Sequence, residues 1–184
     1  MALLAMFLFT STAQAEESFH HSQIKLFATV GLDHQEDKEL RAHFATAENL
    51  NNTRASLGIE FKPAKWLHIE PMFGWFFGKN EPIASLHLVP IFGKFHGLME
   101  VEFQLFSRDG YWAVQLDYQL FKWLYVGAEI DSVGNYDPDR HWNYSGGPNL
   151  LFRLEKFGLD LALHAREGEH SIEPKFLMRI HFFL

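Results

Sequence analysis

The closing residues PKFLMRIHFFL, Pro174 to Leu184, decide how the chain is read. Phe176, Met178, Ile180, Phe182 and Leu184 share one parity, while Lys175, Arg179 and His181 share the other. Side chains that alternate with a period of two point to opposite faces of an extended strand. The segment therefore predicts a β-strand with one apolar and one charged face.

The same period recurs upstream, over Ser22 to Gly31, Thr53 to Phe61, Trp66 to Phe77, His96 to Phe106, Tyr111 to Leu120, Trp123 to Asp131, Gly146 to Leu154 and Gly158 to Ala165. Ile83 to Phe92 is apolar on both parities and is read as a strand on length and flanking turns. With the closing segment this predicts about ten antiparallel strands, with eight as the alternative, in one all-β domain. Short turns, such as Lys62-Pro63-Ala64-Lys65, Gly93-Lys94 and Phe121-Lys122, alternate with longer polar connections. The longest, Leu32 to Asn52, is expected to be a loop carrying a short helix within Asp37 to Leu50, because Leu40, Phe44 and Ala47 recur at helical spacing. A second long loop is expected over Ser132 to Ser145, rich in Gly, Asn, Asp and Pro.

Composition narrows the setting. Of the 184 residues 47% are hydrophobic and 16% aromatic, yet the formal charge is -7. No uninterrupted apolar run approaches the roughly 18 residues that a membrane-spanning helix needs. Alternating strands bury such a composition without long apolar runs. The absence of cysteine excludes disulfides and cysteine-based zinc sites. The acidic balance leaves no basic footprint for nucleic acid, and no cofactor is expected. Residues Met1 to Ala15 (MALLAMFLFTSTAQA) combine an apolar core with Ala13-Gln14-Ala15 before Glu16. Small residues at those places suit a signal peptidase, so residues 1–15 are expected to be a signal peptide and 16–184 the folded domain, although a basic start is missing.

The closing strand resembles the last strand of bacterial outer-membrane β-barrels, with Leu184 where the usual ending is Phe. The resemblance implies a transmembrane barrel of compact, OmpA-like architecture. It further implies the outer membrane as location, membrane lipid and lipopolysaccharide as surroundings, and recognition by the barrel assembly machinery through Phe176, Met178, Ile180, Phe182 and Leu184. Trp66 and Trp123 beside the short turns, and Trp75 and Trp112 at the opposite ends, are placed as two interfacial girdles, since indole rings favour the boundary of hydrocarbon and water. A soluble, lipocalin-like periplasmic barrel alternates as well, with its apolar face inside.

With the apolar parity outward, Arg54, Glu60, Glu70, Glu100, Glu102, Asp117, Glu129, Asp131, Arg153, Asp160, Lys175 and Arg179 face the lumen. Such charges form a paired core or line a narrow pore. The expected role is structural, surface-interacting or that of a narrow channel. The alternative is an outer-leaflet lipid- or peptide-hydrolysing barrel enzyme. His20 and Ser22 are spaced as in the lipid A deacylases, and Asp139 and His141 resemble the Asp-x-His pair of the omptin proteases. Neither pair has a visible third group or substrate position, so an enzymatic role is the less favoured reading. Asp131, Asn135, Asp137 and Asp139 are weak candidates for gathering a calcium ion at the outer surface, without EF-hand spacing.

Overall fold

The structure, a computed structural model, describes residues 23–35, 38–47, 53–137, 142–167 and 171–183. Residues 1–15, expected to be a signal peptide, and His20, Ser22, Asp139, His141 and Leu184 lie outside the described residues. The fold is all-β. In chain order the strands are β1 (Gln23–Gln35), β2 (Lys38–Ala47), β3 (Arg54–Ala64), β4 (Leu67–Phe76), β5 (Glu81–Phe92) and β6 (Phe95–Gln104). They continue as β7 (Asp109–Phe121), β8 (Leu124–Asn135), β9 (Asn143–Arg153), β10 (Phe157–Glu167) and β11 (Ile172–Phe183).

Each strand pairs antiparallel with the next, which makes one continuous up-and-down sheet. β1 also lies beside β11, in parallel, with Gln23 to Thr29 opposite Leu177 to Phe183. That pairing closes the strand order into a barrel. The parallel seam follows from the odd number of strands among the described residues, because the first and last members of such a meander run the same way. Over this stretch both terminal strands are paired on both sides, which removes the exposed edge there.

All ten strands expected from the alternation are present, and β2 is one more. The expected loop with a short helix over 37–50 is thereby corrected: β1 continues to Gln35 and β2 occupies Lys38–Ala47. Leu40, Ala42 and Phe44 satisfy a period of two as well as Leu40, Phe44 and Ala47 satisfy helical spacing. Pairing decides between them, since β2 finds backbone partners on both sides, from β1 and β3.

The β3–β4 connection is tighter than expected. β3 extends through a bulge between Phe61 and Ala64, leaving Lys65 and Trp66 as the turn. The two-residue turn Gly93-Lys94 places Gly93 at φ 61, a conformation that a residue without Cβ adopts at no steric cost. Short turns all lie at one end of the barrel, and the longer connections at the other.

Polarity across the wall is inverted relative to a water-soluble core. On β10 Leu163 is 56% exposed, while its neighbour His164 is 1% exposed. Leu57, Phe73, Leu86, Leu116, Ile130 and Phe176 are likewise exposed. Glu60, Glu70, Glu102, Asp117, Glu129, Asp131, Asp160, Lys175 and Arg179 are buried. The side chains that alternation assigns outward thus form an apolar exterior around a charged interior.

The four tryptophans expected to form the girdles fall at the two ends. Trp66 stacks on Phe92 and Trp123 on Phe121 and Phe152 at the short-turn end. At the other end Trp75 is exposed on β4, and Trp112 packs edge-on against Tyr144.

Candidate functional site

The lumen is organised by cross-strand rungs. Register brings Asp131 opposite Ser145 and Glu129 opposite Gly147 between β8 and β9. Between β10 and β11 it brings Asp160 opposite Arg179 and His164 opposite Lys175. These rungs assemble the most deeply buried polar cluster among the described residues.

Arg179 ties the cluster together. Its Nη2 is 2.7 Å from Asp160 Oδ2 and also bonds Glu129 Oε2. His164 sends Nε2 to within 2.6 Å of Glu129 Oε1. Its other ring nitrogen, Nδ1, is 3.1 Å from Ser145 Oγ, and Ser145 Oγ in turn donates to Asp131 Oδ1. The ligand atoms of Glu129, Asp131 and His164 all lie within 4.8 Å of one another.

Glycines make this reach possible. Gly147 stands between Glu129 and β10, and a Cβ there would collide with the Leu163 carbonyl. With no side chain in the way, Glu129 passes across β9 to His164. Gly127 serves the same purpose one rung away: it pairs with both Asp117 and Asn149, whose side chains bond over it, Asn149 Nδ2 donating to Asp117 Oδ1 at 2.8 Å. A Cβ at Gly127 would meet the side-chain oxygens of both.

Three further groups fill the rest of the described lumen. Glu70 takes His43 Nε2 at 2.6 Å and lies 3.6 Å from His87 Nδ1, while His87 Nε2 is 3.3 Å from Glu100. The row follows from register, since His87 pairs with Glu70 on one side and Glu100 on the other. Arg54 spans to Glu102 at 2.7 Å. Glu60 is approached by Arg41, Lys62 and His68 at 3.0, 3.1 and 2.8 Å. Of the lumen residues expected from alternation, Arg153 differs: it is exposed on the last residue of β9, at the short-turn rim.

Of the residues weighed for calcium, the three that are described, Asp131, Asn135 and Asp137, do not converge, and Asp139 lies outside the described residues. Asp131 belongs to the buried cluster with Ser145. Asn135 donates to Asp109 Oδ1 at 2.6 Å and to the Ser107 carbonyl at 2.9 Å, and its Oδ1 accepts the Asp137 backbone N–H. Asp137 pairs with Arg108 at 3.1 Å. Asn135 and Asp137 thus knit the loop end together. The same rim is tied by Glu81, which accepts the backbone N–H groups of Phe106 and Ser107 and the Ser107 hydroxyl.

Ser145, His164 and Glu129 have the residue types of a hydrolytic triad. The chemistry points elsewhere: the Ser145 hydroxyl proton is directed to Asp131 and not to the imidazole, so the serine is not being deprotonated by His164. His164 lies on an inward parity legible in the sequence, whereas Ser145 was expected in the loop over 132–145 and is found on β9, and their convergence depends on the pairing of strands. The signal available beforehand was the pair of inward glycines, Gly127 and Gly147. No family model matches the chain, and no curated protein matches it.

Proposed function

We propose that this chain is an outer-membrane β-barrel whose lumen is filled by paired charges, serving a structural or surface-interacting role in the envelope. One observation carries the reading: large apolar side chains ring the outside while the carboxylates, histidines and arginines are buried within. In water that arrangement is unfavourable, because each exposed Leu or Phe forgoes about 1.5–3 kcal/mol of burial. In a bilayer the same exterior is solvated by lipid, and the polar interior supplies its own partners. Trp66 and Trp123 at one end, with Trp75 and Trp112 at the other, suit two interfacial girdles.

Pairing across the interior favours a closed lumen over a channel, since Arg179 and Arg54 reach over it to carboxylates on other strands. Membrane fractionation combined with gel mobility before and after boiling tests the proposal. The expected result is a membrane-bound protein whose unboiled band migrates differently. A soluble periplasmic protein without heat-modifiable mobility would overturn it in favour of the lipocalin-like alternative.

A further inference from the structure

The hydrogen-bond chain around His164 dictates which proton the imidazole carries. Ser145 Oγ has one hydrogen and gives it to Asp131 Oδ1. Toward His164 it can then only accept, so Nδ1 carries the N–H of the 3.1 Å contact. In the neutral imidazole this leaves a bare lone pair on Nε2. That nitrogen belongs to a side chain with 0% exposure and is directed at Glu129 Oε1, 2.6 Å away. Neither atom has an aligned hydrogen-bond partner despite their closeness. In that tautomer two lone pairs would face each other across the 2.6 Å contact, which is repulsive unless a positive centre stands beside them, and the Asp131 carboxylate lies within 4.8 Å of both.

We infer that Glu129, Asp131 and His164 form a binding site for one divalent transition-metal ion of the zinc type. One imidazole nitrogen and two carboxylate oxygens are a donor set that suits such ions. The surrounding groups are those that hold ligands in place. Arg179 fixes Glu129 through Oε2 and leaves Oε1 for the ion, and Ser145 fixes the His164 tautomer. The inference depends on the lumen geometry alone and stands apart from the question of the membrane.

The test uses the full barrel, stripped with chelator and titrated with Zn²⁺, with calorimetry for affinity and elemental analysis for stoichiometry. One saturating equivalent is expected, weakened at least tenfold in Glu129→Gln and His164→Asn and retained in His87→Asn, which alters the other histidine row. Ser145→Ala keeps all three ligands and is expected to weaken Zn²⁺ by about tenfold or more, as loss of an orienting partner does. It serves where a ligand variant does not fold. Co²⁺ in place of Zn²⁺ should give visible d–d bands that disappear in His164→Asn.

Absence of saturable binding by the wild-type barrel would overturn the inference and assign an imidazolium to His164, paired with Glu129. Binding that survives both ligand variants, or is lost equally in His87→Asn, would overturn it in favour of adventitious histidine coordination.

Discussion

Arg179 and Asp160 face each other directly across the β10–β11 pair, Nη2 to Oδ2 at 2.7 Å, while the same guanidinium bonds Glu129 on β8. One cation on the closing strand therefore serves carboxylates from two other strands. Removing it takes the shared cation from two buried carboxylates. Arg179→Ala is expected to destabilise the barrel by about 3–5 kcal/mol, the range for breaking a buried pair from one side. The temperature at which the unboiled band disappears should fall, and an unchanged transition would refute the assignment. Arg179→Lys should recover only part of the loss, because an ammonium lacks the planar fork that serves two partners.

Gly147 gives a steric counterpart. A larger residue would drive its Cβ into the Leu163 carbonyl and occupy the path of Glu129 to His164. Gly147→Val is expected to cost about 1–3 kcal/mol, as overpacking does. Denaturant titration reads this. Stability equal to wild type would mean that β9 does not approach β10 as described.

Leu163 separates the membrane reading from the soluble one. It lies outward near the middle of β10 and is exposed. In a bilayer Leu163→Arg should cost about 2–4 kcal/mol, the penalty for a cation near the hydrocarbon midplane. In a soluble barrel the same change would be close to neutral or improve solubility. Folding free energy measured in lipid vesicles distinguishes the two outcomes.

At the loop end, two substitutions should differ in size. Glu81 is 2% exposed and accepts two backbone N–H groups and a hydroxyl. Glu81→Ala should cost about 1.5–3 kcal/mol, since it strands charge-assisted bonds. Asp137 pairs with Arg108 in solvent, and its loss should cost roughly 1 kcal/mol at most. Equal effects in thermal unfolding would contradict the burial difference.

The hydrolase alternative predicts turnover of lipid A or of model peptides that falls in Asp139→Ala or His141→Ala. On the proposed structural role the wild-type barrel shows none. Measurable turnover abolished by either substitution would establish the enzyme instead.

Alternation alone determined which side chain faces which way. Lys175, Arg179, Glu129 and Asp160 sit on inward parities in the sequence as they do in the barrel, because a strand's side chains must alternate whatever it pairs with. The turn at Gly93-Lys94 was legible for a similarly local reason, and the one expected at Phe121-Lys122 falls one residue later, at Lys122-Trp123. Segment 38–47 was not, since over ten residues a period of two and a helical period share positions, and only backbone partners on both sides select the strand. The candidate site was legible as residue types but not as a site. Glu129, Ser145, His164 and Arg179 come from four strands, and their meeting depends on register and on the space above Gly127 and Gly147. Hydrogen-bonded pairing between distant segments is a property of the closed sheet, so tertiary structure alone decided the odd strand count, the parallel seam of β1 with β11, and the partner of each buried charge.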